Sequence, residues 1–337
     1  MSLNDIKNKK VILRADFNVP LNEGRIIDDN KIIKTLPTIN LLLKNNNKVI
    51  IITHLGRPKG KFIKGLTIDP IKNRLEELLN KKVNKINLKN KDFGELSILD
   101  NIRFFGEEEE NNNSFSKSIS EMGDIYVNDA FAVSHREHAS VYGIQKHLPS
   151  YRGLLVEEEI KNLNKVINPK RPFTLILGGK KEDKIDLISK MLNKVDVILI
   201  GSYFGKYFLD ENNETTKIIK EKCKEEHIKL IIPKKEEIYD IGNETLEKYK
   251  EALKNAKTVL WNGPLGNYEK KEFSKGTMEI INYLSKSKAD IIIGGGELGE
   301  IYSKNSKNNK NLYISTGGGA TLKFLGEGNL IGIKDLK

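Results

Sequence analysis

One phrase, repeated five times in the second half of the chain, limits its fold more than any other feature. A short apolar run ends in glycine each time: Leu175-Ile176-Leu177 before Gly178-Gly179, Val197-Ile198-Leu199-Ile200 before Gly201, Val259-Leu260-Trp261 before Asn262-Gly263-Pro264-Leu265-Gly266, Ile291-Ile292-Ile293 before Gly294-Gly295-Gly296, and Tyr313-Ile314-Ser315-Thr316 before Gly317-Gly318-Gly319. Runs this short, apolar on both faces, fit buried parallel strands. Strand, tight turn and helix in repetition is the pattern of a doubly wound α/β sheet. Ligands of such sheets sit where the strands' carboxyl ends open a crevice. Glycine there lets backbone amides approach a phosphate, and the following helix N-terminus favours negative charge.

In the first half, apolar runs deliver polar and basic groups instead. Residues 11–15 lead into Asp16-Phe17-Asn18, with Pro20 forbidding a longer central strand. Residues 48–53 lead into His54-Leu55-Gly56-Arg57-Pro58, the stretch 99–105 carries Arg103, and Ile125-Tyr126-Val127 turns through Asn128-Asp129 toward His135, Arg136 and His138. Asp29 is expected to cap a helix with Ile32, Leu36, Ile39 and Leu43 on one face, with Lys31 in its first turn and Pro37 kinking or splitting it. Asp69-Pro70 opens another helix, and the acidic run 107–110 reads as a solvated face. A single arginine is more often a surface residue. Arg57, Arg103 and Arg136, all near strand ends, together read as forks for phosphate and carboxylate oxygens, with Asp16 and Asn18 available to a hydroxyl. Leu148-Pro149-Ser150 marks a boundary before a helix over residues 155–167.

At 337 residues two domains are expected. The net charge of +11 comes largely from Lys beside Asn, as in Lys44-Asn45-Asn46-Asn47, without an aromatic-studded basic stripe, so nucleic acid is not an expected partner. Cys223 is the only cysteine, which excludes an intramolecular disulfide and a thiolate metal site. No apolar run has the length of a membrane span and the first ten residues lack a signal-peptide core, so the expectation is a cytoplasmic monomer with small-molecule ligands. Residues 294–299 match G-x-G-x-x-G, but the acidic residue that would hold a ribose about twenty positions later is missing. No glycine loop ends in the Walker Gly-Lys-Ser/Thr, and no G-x-S-x-G elbow is present.

Taken in order, the segments 14–21, 54–58, 101–104, 127–140, 177–179, 240–242, 261–269, 294–296 and 315–320 resemble the phosphoglycerate kinase family over nearly the whole chain. Ala130-Phe131-Ala132 is similar to the form in archaeal members. The resemblance implies two doubly wound lobes joined by a hinge helix: residues 1–152 for phosphoglycerate, with a tail 321–337 packing back on them, and residues 153–320 for nucleotide. It implies reversible transfer of the acyl phosphate of 1,3-bisphosphoglycerate to ADP, giving 3-phosphoglycerate and ATP in glycolysis and gluconeogenesis, with hinge bending. The substrate positions it implies are Asp16, Phe17, Asn18, Lys31, His54, Leu55, Gly56, Arg57, Arg103 and Arg136. Its nucleotide positions are Gly178, Gly179, Lys181, Lys184, Asn262, Pro264, Glu269, Gly295, Gly296 and Glu297, with Glu297 toward Mg²⁺. Lys31, Lys181 and the amides around Gly318 would act on the moving phosphoryl group.

Several departures fall on the chemistry. Lys31 stands where the family has an arginine, which keeps the charge and loses the planar fork. The 178–184 loop is one residue shorter than the family's, leaving open whether Lys180 or Lys181 contacts phosphate. Glu297 replaces an Asp, Leu298 a hydroxyl residue, and Ser202-Tyr203 a glycine-rich stretch near the adenosine site; the chain is also short for the family. Two readings follow: a working kinase, slowed by Lys31, and a catalytically impaired relative that binds a ligand or a protein.

Overall fold

The computed structural model describes residues 2–89, 93–305 and 309–337. The chain divides into two compact units, Met1–Glu159 with Asn329–Lys337, and Ile160–Gly328. The first contains β1 (Lys10–Arg14), β2 (Leu21–Asn22), β3 (Arg25–Ile26), α1 (Asn30–Lys44), β4 (Lys48–Ile52), α2 (Asp69–Leu79), β5 (Asn84–Ile86), β6 (Leu96–Leu99), α3 (Gly106–Glu109), α4 (Asn113–Ser120), β7 (Ile125–Asn128) and β8 (Ser150–Arg152). Helix α5 (Leu154–Ile167) starts in this unit and ends in the second. The second unit contains β9 (Phe173–Leu177), α6 (Ile185–Met191), β10 (Val197–Ile200), α7 (Ser202–Leu209), α8 (Glu214–Glu225), β11 (Lys229–Ile231), α9 (Asn243–Leu253), β12 (Thr258–Asn262), α10 (Lys275–Ser285), β13 (Asp290–Ile293), α11 (Gly296–Asn305), β14 (Leu312–Ile314) and α12 (Gly318–Glu327).

Each unit is built on a six-stranded parallel sheet, ordered β5-β6-β4-β1-β7-β8 in the first and β11-β10-β9-β12-β13-β14 in the second. Alternation along β1 explains why the strands read as unbroken apolar runs. Val11 and Leu13 enter one core with Ile32, Ile39 and Leu42 of α1 and Ile71 and Leu75 of α2, while Ile12 enters another with Phe115 and Ile119 of α4. In the second unit Ile176, Leu199, Val259, Trp261 and Ile293 pack with Tyr249 of α9, Ile280 of α10 and Tyr302 of α11.

Three sequence expectations change here. Helix α1 runs unbroken through Pro37. The lost amide bond costs about 3 kcal/mol. Burial of Ile32, Ile39, Leu42 and Leu43 contributes roughly 1.5–3 kcal/mol for each side chain and outweighs it. Asp29 makes no side-chain cap, because Arg74 Nε of α2 donates to its carboxylate at 2.8 Å; the Asn30 amide donates instead to Asp28 Oδ1 at 2.8 Å. The return to the first unit begins later than residue 321. Thr321, Phe324 and Leu325 of α12 are buried in the second unit, and Gly328, at φ +77°, closes the helix in a left-handed cap. Beyond it Gly332 N donates to Ser134 O at 2.8 Å, and the amide side chains of Asn128 and Gln145 both donate to Gly332 O at 2.8 Å. Among the described residues no helix is long and apolar enough to cross a membrane.

In the second sheet the strand order reverses direction between β9 and β12, which places the crevice at Gly178 and residues 262–266. Gly178 N donates to Asn262 O at 3.0 Å and Gly179 N to Pro264 O at 2.9 Å. A Cβ on Gly178 would fall on the Pro264 carbonyl oxygen, whereas one on Gly318 would meet open space. At the other sheet, Asp129 follows β7 and accepts the Leu155 and Val156 amides of α5 at 2.9 and 3.3 Å. Burial pushes its carboxyl up to about 7 despite these two bonds.

Two measurements follow. Gly178→Ala should cost at least about 2 kcal/mol in denaturant unfolding, whereas Gly318→Ala should leave stability unchanged or slightly raised. Between the unfolded value of 3.8 and about 7 the folded chain holds the extra proton on Asp129, so this residue's contribution is lost as pH rises through that window. Asp129→Asn should remove that slope, matching the parent at pH 4 and exceeding it on the order of 2–4 kcal/mol at pH 8.

Candidate functional site

The first unit gathers its polar groups at the carboxyl ends of β1, β4, β6 and β7. Asp16 follows β1 and is 7% exposed. Its Oδ2 accepts from Lys31 Nζ at 2.7 Å, its Oδ1 accepts from Asn18 N at 3.2 Å, and His54 Nδ1 lies 3.7 Å from Oδ1. Burial is the largest single influence and opposes the charge on Asp16, but the charge and hydrogen bond of Lys31, with His54 and the Asn18 amide, together hold the carboxyl at about 2. Burial, with Arg14 and Arg103 nearby, drives His54 well below its usual value, so the ring is neutral at neutral pH. Asn18 is exposed and its Oδ1 accepts from Gly56 N at 2.9 Å; Gly56 O in turn accepts from Arg103 Nη1 at 3.0 Å. Gly56 sits at φ +62° with the Leu66 side chain where a Cβ would lie, so glycine is required at this turn.

Arg103 is 3% exposed, and burial, followed by the charge of Arg14, lowers it to about 10. Arg136 is half-buried with Nε shielded from solvent and no acceptor for it among the described residues; His138 Nδ1 and Arg14 Nη2 are in the same condition. An unpaired shielded donor on a cation is costly, and an anion beside Arg136 would satisfy its Nε. Arg57 is exposed and bonds to no described residue. Phe17 and Leu55 are core side chains, with their amides donating to Thr53 Oγ1 at 2.9 Å and Asn101 Oδ1 at 3.2 Å.

Two groups in this cluster escaped the sequence reading. Arg14, taken only as part of an apolar strand, is fully buried, with Nε donating to Ser140 Oγ at 2.8 Å and Nη1 to the carbonyls of Ala15 and Ile52. An arginine inside an apolar run was the available signal. Glu108, expected on a solvated face, is also fully buried and accepts both the amide and the hydroxyl of Ser140. Only Glu107, Glu109 and Glu110 of that run reach solvent.

In the second unit the glycine turns meet one another. Lys184 is 9% exposed and its Nζ donates to Gly178 O at 2.7 Å, tying the β9 turn together. Lys180 and Lys181 are both exposed, and Lys180 O accepts from Tyr207 OH at 3.1 Å. Asn262 Nδ2 donates to Gly294 O at 2.9 Å, joining the ends of β12 and β13, while Pro264 supplies the carbonyl for Gly179. Gly295, at φ +60°, abuts Ser315 O and Gly318 N, so the β13 turn touches the start of α12. Gly296 and Glu297 open α11 in the exposed region; Glu269 is exposed and bonds to no described residue. Among the described residues no group of three or more His, Cys, Asp or Glu could hold a metal by itself.

Comparison with known proteins places this arrangement. The phosphoglycerate kinase family model matches residues 1–231 and 215–328. The chain is 40% identical to the phosphoglycerate kinase of Finegoldia magna over 378 aligned positions, covering 97% of this chain and 95% of that one. It is 39% identical to the enzyme of Clostridium kluyveri over 384 positions, covering 98% and 96%. Since the alignments are longer than the 337-residue chain, both relatives carry residues that it lacks. The solved phosphoglycerate kinase of Coxiella burnetii superposes with a TM-score of 0.87 at 32% identity, and that of Pyrococcus horikoshii with 0.85 at 30%, each covering 99% of this chain and 98% of the other. The two parallel-sheet units, with basic groups at one set of strand ends and glycine turns at the other, are therefore those of a chain that belongs to the phosphoglycerate kinase family.

Proposed function

We propose that this chain moves the acyl phosphate of 1,3-bisphosphoglycerate to ADP and, in reverse, phosphorylates the carboxylate of 3-phosphoglycerate with ATP. The observation that carries this reading is the linked cluster of Asp16, Lys31, Asn18, Gly56 and Arg103, flanked by the unpaired donor of Arg136. Such a site answers the needs of a small ligand bearing both phosphate and carboxylate. Arg103 and Arg136, with exposed Arg57, would take the anionic oxygens; Asp16 and Asn18 would orient the hydroxyl; neutral His54 would offer a ring nitrogen without adding charge.

The nucleotide reading rests on the second unit's turns. Gly178, Gly179, Gly295 and Gly296 would let backbone approach a phosphate chain, with Lys181 exposed near the first two and Lys184 anchoring their turn. Mg²⁺ that travels with a nucleotide needs only one or two carboxylates besides the phosphates, and exposed Glu297 in the first turn of α11 fits that role. The ion, when bound, neutralises phosphate charge. In the forward reaction a β-phosphate oxygen of ADP attacks the acyl phosphorus, and the carboxylate of 3-phosphoglycerate departs with the electrons of the broken bond. The protein contributes position and charge cancellation, from Lys31, Lys181 and the amides near Gly318, without a covalent enzyme intermediate.

Steady-state ATP formation from 1,3-bisphosphoglycerate and Mg-ADP tests the reading. Lys31→Ala should lower turnover by at least about a hundredfold, because Asp16 loses its partner and the moving phosphoryl group a cation. Lys31→Arg should raise turnover above the parent, since a fork can hold Asp16 and still present a free N–H. A folded parent without turnover would sink the proposal.

A further inference from the structure

We propose that Glu108 and Ser140 are positioning residues of the first unit's anion site, holding the loop that carries Arg136 and His138 against the buried guanidinium of Arg14. The inference rests on the phosphoglycerate reading of that site. Ser140 is gripped from both sides. Its amide donates to Glu108 Oε2 at 2.8 Å, its hydroxyl donates to Glu108 Oε1 at 2.6 Å, and the same oxygen accepts from Arg14 Nε at 2.8 Å. Next to it Ala139 N donates to Glu108 O at 2.9 Å, and Ser140 O accepts from Tyr126 OH at 2.9 Å. The segment entering from β7 is thus fixed a few residues beyond Arg136 and His138.

Glu108, Ser140 and Arg14 are all fully buried, so none of them touches a ligand. They act through their neighbours: His138 Nδ1 lies 3.7 Å from Glu108 Oε1, and Arg103 Nε lies 3.3 Å from Glu109 Oε1, the adjacent residue of α3. A buried carboxylate is an expensive latch, and burial pushes Glu108 toward its neutral form. The charge of Arg14 and the two bonds from Ser140 pull the other way.

Position and charge predict opposite outcomes for an anionic ligand. Glu108→Gln removes a negative charge beneath a cationic site. By electrostatics alone 3-phosphoglycerate should then bind more tightly, whereas by loss of position it should bind more weakly. Ser140→Ala breaks the link between Glu108 and Arg14 with no change of charge, and it keeps the test alive if the Gln variant does not fold.

The experiment is calorimetric titration of the full chain with 3-phosphoglycerate, and separately with Mg-ATP, together with steady-state kinetics. Both variants should bind 3-phosphoglycerate about tenfold more weakly, the scale of one hydrogen bond to a charged group. For Ser140→Ala the KM for phosphoglycerate should rise in parallel, with kcat within about twofold and Mg-ATP affinity unchanged. Parental affinity in Ser140→Ala, tighter binding in Glu108→Gln, or equal weakening toward both ligands would overturn the positioning role while leaving the kinase reading standing. A parent that does not bind 3-phosphoglycerate would remove both.

Discussion

The first unit depends on a charge held where charge is costly. Arg14 lies on the central strand β1, fully buried, and the desolvation of such an ion costs several kcal/mol before it is paired. Its compensation comes from Ser140, from the carbonyls of Ala15 and Ile52, and through Ser140 from the equally buried Glu108. Apart from Ala15, which follows β1 itself, those partners come from β4, from α3 and from the loop after β7. Satisfying one guanidinium therefore fixes how three separate segments converge beneath the strand ends where the anion site is proposed.

The second unit's turns are knit together chiefly through the backbone. Carbonyls and amides of Gly178, Gly179, Asn262 and Pro264 bond to one another across β9 and β12, and Lys184 spends its ammonium on the Gly178 carbonyl. Close backbone approach is the organising constraint there, because a Cβ at Gly178 or Gly263 would overlap the neighbouring turn. A charged crevice selects a compact anion by its oxygens. A backbone crevice accepts a longer phosphate chain along its amides.

The two sheets were legible in the sequence, since apolar runs buried on both faces have few other uses and the glycines mark where each run stops. The groups expected at the substrate site, Asp16, Asn18, His54 and Arg103, stand at or just beyond the ends of such runs, and the structure brings them together. The side chains of Phe17 and Leu55, chosen with them, lie in the core. Local rules failed where a distant partner competed. Asp29 gave its carboxylate to Arg74 of another helix, and Pro37 stayed within α1 because the apolar face beneath it was worth more than one amide bond.

The sequence by itself determined the strand ends, the fold class and the kinds of group available at each crevice, because periodicity and punctuation are local properties of a chain. Tertiary structure alone decided which charges are buried and what they bind. Glu108 reads like its neighbours Glu107, Glu109 and Glu110, and only the packing of α3 against the loop after β7 turns it inward. Burial and pairing depend on residues far apart in the chain: Glu108 is 32 positions from Ser140, and Ser140 is 126 from Arg14. No local pattern encodes a contact across that distance, so the network beneath the anion site becomes visible only once the sheet has assembled.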